Sequence, residues 1–268
     1  MDPRIEANLR HWDDLVDIHA RSTFYNLEGF LRGETNLLPI ERQEIGDIAG
    51  KSILHLQCHF GMGTLSLARM GAKVTGMDFS PRAIALARQL AQELGLEADF
   101  VQANLYDLPN VLHRSYDMVY TTYGVLCWLP DIEGWARVVS HFVAPGGTFY
   151  MVEEHPFSWV FEQEGRELLQ PRNPYFARGK AHRYDEQGSY ADADATIEHT
   201  ETYEWQHTLG DIVSALAAAG LRIEYLHEFP YLEYELFPGM VCRQDGYYDL
   251  PEGHPEMPLL FSIKARKE

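Results

Sequence analysis

The sequence has no uninterrupted apolar stretch near the roughly 20 residues that a membrane-spanning helix needs. Its opening, MDPRIEANLRHWDD, has no apolar segment of the kind a secretory leader carries. Basic residues are scarce: 22 Lys and Arg against 40 Asp and Glu leave a net charge of −18 with neutral histidines. No Lys/Arg run interrupts that balance, and a surface of this sign repels phosphate backbones and anionic headgroups. The expectation is therefore no nucleic acid and no membrane as partner, but a small molecule, neutral or cationic. Cysteine is rare as well. Cys58, Cys127 and Cys242 are odd in number and form no CxxC pair. That argues against a disulfide framework or a cysteine zinc site and fits a reducing, cytoplasmic address.

What is present is the composition of a globular chain, 46% hydrophobic and 23% charged over 268 residues, enough to bury a real core. Asp2 and Pro3 open an amphipathic helix, with Ile5, Leu9, Trp12, Val16 and His19 on one face. From Lys51 the grammar becomes strand, turn, helix, repeated. Strands are expected at 52–57, 73–77, 98–105, 116–122 and 148–153. Helices are expected at 64–70, after Ser80-Pro81, and after Asp131, the last ending before Pro145-Gly146-Gly147. Strands alternating with helices imply right-handed crossovers and a mainly parallel sheet. The rhythm breaks at 155–204, rich in aromatics, charges, Pro and Gly. It resumes with a helix capped by Thr208 and two closing strands, 221–228 and 259–265, joined by a proline- and aromatic-rich link. With no repeat and no low-complexity linker, the reading is one domain. Residues 1–50 form a helical cover, 51–154 a cofactor-binding core, 155–207 an inserted substrate-side lobe, and 208–268 the closing helix and strands.

The chemistry concentrates where the first strand ends. ILHLQCHFGMG places a tight turn before a helix N-terminus, whose unpaired N–H groups and positive dipole end suit a nucleotide-type ligand. Gly61 and Gly63 allow close backbone approach. Asp78 ends the next strand 17 residues after Gly61, near the offset at which an acid meets ribose hydroxyls. His199, Glu201 and His207 alternate on one extended stretch, but without HExxH or paired CxxC spacing no metal is expected.

The stretch ILHLQCHFGMGTLSLARMGAKVTGMDFSPRAIALARQLA resembles the first two motifs of class I S-adenosylmethionine-dependent methyltransferases. The likeness continues through QANLYDLP, SYDMVYTTYGVLCWLPD and FVAPGGTFYMVE. It implies a Rossmann-like, seven-stranded, mostly parallel sheet flanked by helices, and S-adenosyl-L-methionine as co-substrate. The family's DxGxGxG is altered here: His55 stands at the acid, Gln57 and His59 replace two glycines, and only Gly61 matches. The imidazole of His59 would clash with a closely approaching cofactor unless it points away. The resemblance places Gln57 and Gly61 by the methionine moiety, Asp78 on the ribose, and Phe79, Asn104 and Leu105 around the adenine. Thr121 would line the cofactor from strand four, and Tyr25 would close the site from the N-terminal cover. Tyr123, Trp128, Glu154, Tyr203 and Trp205 are candidates for the acceptor wall, and His155 or His207 for a general base. Two other readings stay open: a non-catalytic sensor of S-adenosylmethionine or S-adenosylhomocysteine, and an NAD-dependent oxidoreductase. Oligomeric state, monomer or homodimer, is open too.

Overall fold

The computed structural model describes residues 2–162, 168–177 and 179–268. Seven strands form the main sheet: β1 Ser52–Leu56, β2 Lys73–Asp78, β3 Ala98–Gln102, β4 Tyr116–Thr122, β5 Val143–Glu154, β6 Leu221–Phe229 and β7 Leu260–Lys267. Their spatial order is 3-2-1-4-5-7-6. The contacts among β1 to β5 are parallel, whereas β7 runs antiparallel to both neighbours. The chain reverses its direction of winding between β1 and β4, so a crevice opens beyond the carboxyl ends of those strands.

The helices are α1 Pro3–Arg21, α2 Leu27–Leu31, α3 Pro39–Ile45, α4 Met62–Arg69, α5 Pro81–Leu94, α6 Ile132–Phe142 and α7 Leu209–Ala218. Their starts follow side-chain chemistry. Ser80 accepts from Ala83 N–H, Asp131 from Gly134 N–H, and Thr208 from Asp211 N–H, each cap worth about 1 kcal/mol. One face of the sheet buries Val119, Phe149 and Ile263 against Trp135, Val139, Ile212 and Leu216 of α6 and α7. The other face buries Tyr120, Tyr150 and Val152 against Ile40 of α3, Phe237 and Tyr247 of the 229–258 link, and Leu259 just before β7.

Several boundaries differ from the sequence reading. Strand β3 stops at Gln102, because Asn104 turns back to cap a 3₁₀ segment, Leu105–Asn110. The proline-rich link is not plain coil: Tyr231–Leu232, Val241–Cys242 and Tyr248–Asp249 pair into a small antiparallel sheet. Within 155–207, Ala181–Asp185 pairs antiparallel with Glu201–Trp205. Residues 163–167 and 178 of that lobe lie outside the described residues. No described helix is long and apolar enough to cross a membrane.

Candidate active site

A cavity of about 1920 Å³ occupies the crevice, roofed by α1, the lobe and the 229–258 link. Single small-ligand pockets usually span about 300–1,000 Å³, so the space suits two ligands side by side. Of the residues expected there, Tyr25, Gln57, Gly61, Asp78, Phe79, Asn104, Leu105, Tyr123, Trp128, Glu154, His155, Trp205 and His207 all reach its wall.

The floor is built by backbone strain and one buried acid. Gln57 and His59, which replace family glycines, keep left-handed backbones with φ of 54° and 50°. Such a conformation costs a non-glycine residue about 1–2 kcal/mol, and strain of this kind collects at ligand sites. Asp78 supplies part of the restraint: its Oδ2 accepts from His59 N–H at 2.9 Å and its Oδ1 from Ser80 N–H at 2.9 Å. Burial pushes its pKa up to about 6, against the pull of those amides. A carboxylate offers about four acceptor sites, so room remains for a further donor. The His59 ring turns toward α1, where its Nε2 hydrogen-bonds His19 Nδ1 at 3.0 Å, and His19 Nε2 meets Ser189 Oγ of the lobe. Burial pushes both imidazole pKa values down, His19 to about 3, so the pair is neutral.

At Gly61 the demand for glycine comes from a different source than ligand approach. Its φ is 82°, and a Cβ there would lie 2.8 Å from Phe100 and 2.9 Å from Ala87. Packing of β3 and α5 against the turn forbids a side chain. Gln57 donates through Nε2 to Val125 O at 3.0 Å, while its Oε1 is enclosed without a partner. Asn104 spends Oδ1 on Tyr106 N–H and retains its amide donors. Tyr25 stacks on His19, with ring centroids 5.0 Å apart, and its hydroxyl meets that of Tyr190 in the lobe. The cover and the lobe are thus joined above the crevice.

Three expectations are corrected. Thr121 is fully buried away from the cavity: it shares the β4 face of Val119, packed toward α6, and its hydroxyl donates to Leu56 O. Its neighbours Tyr120 and Thr122 line the cavity instead, as alternation along a strand requires. Tyr203 is absent from the wall; its hydroxyl donates outward to Glu201. His155 reaches the wall but accepts from Phe157 N–H through Nδ1 and directs Nε2 toward Glu228 Oε1, 3.1 Å away. That ring pins its loop and has no free lone pair for a proton. His207 differs: Nε2 lies 2.7 Å from Leu129 O. A carbonyl only accepts, so the proton sits on Nε2 and Nδ1 carries a free lone pair. Burial lowers its pKa and keeps it neutral.

Sequence reasoning named Glu154 but missed what the other acids do. Glu153 is clamped by the N–H groups of Val125, Leu126 and Glu154 at 2.8 to 3.1 Å, and by that of Gly124. It fixes the loop after β4, in which Tyr123 has a φ of 42°. Glu41 of α3 accepts from Tyr120 and Tyr123 hydroxyls, and burial raises it to about 7. Glu204 and Glu233 also line the cavity. No sequence signal separates such residues from solvated loop carboxylates.

Residues 53–147 match a family model described as a methyltransferase domain. Over 174 residues the chain is 28% identical to the ubiquinone biosynthesis O-methyltransferase of Citrobacter koseri, covering 62% of this chain and 71% of that one. An S-adenosylmethionine-dependent methyltransferase from Mesorhizobium loti superposes with a TM-score of 0.61 at 22% identity, covering 88% of this chain and 100% of that one. A glycopeptide N-methyltransferase complexed with S-adenosylmethionine superposes at 0.53 and 15% identity, covering 85% and 92%. The structural likenesses establish the fold, that of the S-adenosylmethionine-dependent methyltransferases.

Proposed function

We propose that this chain, whose residues 53–147 form a methyltransferase domain, transfers the methyl group of S-adenosylmethionine to a small organic acceptor. The observation that carries the proposal is the buried Asp78 carboxylate. Its Oδ2 braces the turn after β1 through His59 N–H, its Oδ1 accepts from Ser80 N–H at the start of α5, and the carboxylate lines a crevice large enough for two ligands. The residues present fit the co-substrate. Gln57 Oε1 is an enclosed acceptor without a donor, suited to an ammonium, and the His59 ring is held aside by His19.

In this reading Asp78 accepts from the ribose hydroxyls. Phe79 and Leu105 bracket the adenine, Asn104 offers it an amide donor, and Gln57 with the Gly61 backbone holds the methionine end. Tyr25, tied to Tyr190, closes the cover. When bound, S-adenosylmethionine supplies an electrophilic methyl carbon on a sulfonium, open to in-line attack. Tyr123, Trp128, Trp205 and Glu154 orient the acceptor and exclude water; such positioning supplies on the order of 7–11 kcal/mol of the barrier reduction. His207 Nδ1 accepts the proton that the acceptor loses. The roof formed by α1, the lobe and the 229–258 link favours a compact acceptor over a polymer, in accord with the small-molecule pathway named for the relatives.

The test is thermal unfolding with S-adenosylmethionine, S-adenosylhomocysteine and NAD in parallel, followed by transfer of labelled methyl to candidate acceptors. A ligand at 100 times its dissociation constant stabilises by about 2.7 kcal/mol. Stabilisation by the two adenosyl compounds alone is expected. Stabilisation by NAD alone would overturn the proposal, and cofactor binding without transfer to any acceptor would make the chain a sensor.

A further inference from the structure

Beyond the cofactor half, the cavity holds carboxyls with nothing to neutralise them. Glu154, at the end of β5, accepts from Tyr234 hydroxyl at 3.2 Å and lies within electrostatic reach of both Glu204 and Glu233. Glu233 Oε2 is enclosed on the cavity wall with no hydrogen-bond partner. Among the described residues, Arg172 is the only Lys or Arg lining the cavity, and it is already paired with Glu162. Burial raises Glu154 to about 8 and Glu204 to about 7 and pushes Glu233 up as well, which marks how poorly the cavity solvates their charge. Aromatic rings stand beside them, Tyr190 and Tyr234 with centroids 6.3 Å apart. These acids do not converge as metal ligands do: no group of three or more among the described residues is placed to hold a metal ion.

We propose that the acceptor is an organic amine, recognised as its ammonium by Glu154, Glu204 and Glu233 and faced by Tyr190 and Tyr234; where that nitrogen is itself the nucleophile it first gives a proton to His207 Nδ1, and the lone pair so freed attacks the methyl carbon as the sulfur leaves with the bonding pair. The inference rests on the methyl-transfer reading for the word acceptor, but the amine site stands on the acids alone. An ammonium brings donors to carboxyl oxygens that lack them, charge-assisted in a poorly solvated place, and aromatic faces attract the same cation. A carboxylate or phenolate acceptor would meet repulsion from three sides. An uncharged one would leave the acids protonated or strained.

Binding of 2-phenylethylamine, tyramine and tryptamine is measured by calorimetry, with and without saturating S-adenosylhomocysteine. Each is compared with its alcohol (2-phenylethanol, tyrosol, tryptophol) and with phenylacetate. At least one amine is expected to bind about tenfold or more tighter than its alcohol, with phenylacetate weakest. Glu154→Gln and Glu233→Gln are each expected to weaken that amine about tenfold. S-Adenosylhomocysteine affinity, measured on the same variants, reports their folding and should hold within about twofold. Amines that bind no better than alcohols, no binding by any amine, or amine affinity unchanged in both variants would overturn the proposal. So would loss of S-adenosylhomocysteine affinity alone, which would assign the acids to the cofactor's own ammonium. Failure of S-adenosylhomocysteine to bind the wild-type protein, with amine selectivity intact, would instead strike the methyl-transfer reading.

Discussion

The two halves of the cavity are built by different means. On the cofactor side, short strands end in register, and the ligand-facing geometry is set by backbone: left-handed residues at 57 and 59, the second braced by Asp78 through its main-chain N–H. On the acceptor side, side chains from distant segments set the geometry: Glu41 from α3, Glu154 from β5, Glu204 from the lobe and Glu233 from the link to β7. A parallel α/β sheet delivers the first arrangement to any sequence that folds into it. The second depends on which loops meet over the crevice, so that is where specificity is free to vary.

That contrast is tested most strongly at His207. His207→Ala should lower turnover by about 10²-fold or more while leaving S-adenosylhomocysteine affinity unchanged, as calorimetry and steady-state kinetics would report. His155→Ala, on the same side but with Nδ1 spent on Phe157 N–H and Nε2 turned toward Glu228, should show up as lost stability more than as lost turnover. Equal kinetic losses in the two variants would break the assignment.

The acids and histidines together predict a pH profile for the ligand-free protein. Glu41, Glu154 and Glu204 are raised by burial to about 7, 8 and 7. Above its unfolded pKa of about 4.5 each folded carboxyl holds its proton longer than the unfolded chain does, so stability falls from about pH 4.5 until pH 7 to 8 and then levels off. His19 and His55 are depressed to about 3 by burial. Acidification below about 6.5 protonates them only in the unfolded chain and so costs stability. Melting temperature should therefore peak near pH 5 and decline on both sides. A profile rising steadily to pH 8.5 would show that the acceptor-side acids are not buried as described.

The smallest effect distinguishes the two faces of one strand. Thr121→Val removes the bond to Leu56 O and should cost about 1 kcal/mol of stability, measured by denaturant unfolding, with no change in cofactor affinity.

Much of the fold was legible because its signals are local. Ser80-Pro81 and Asp131 announce α5 and α6 by capping chemistry, and the apolar run 116–122 is the strand observed. The turn after β1 was legible through Gly61 and Asp78, although glycine is required there by Phe100 and Ala87. Register was not legible: nothing local says which face of β4 meets the crevice, and the choice of Thr121 over Tyr120 and Thr122 turned on a single residue of alternation. The acid cluster, of which only Glu154 was named, was otherwise invisible for a stronger reason. Glu41, Glu154, Glu204 and Glu233 are far apart in sequence, and only the closing of α3, the lobe and the link over the sheet desolvates them.

The most direct measurement is calorimetric titration of S-adenosylhomocysteine into the wild-type chain and into Asp78→Asn. The account predicts one site in the wild type, about tenfold or more weaker in the variant; the amide relieves a buried charge, but its Nδ2 cannot accept from a backbone N–H, so one of the two braces goes and some folding stability with it. No binding to the wild type, or equal affinity in the two proteins, would contradict it.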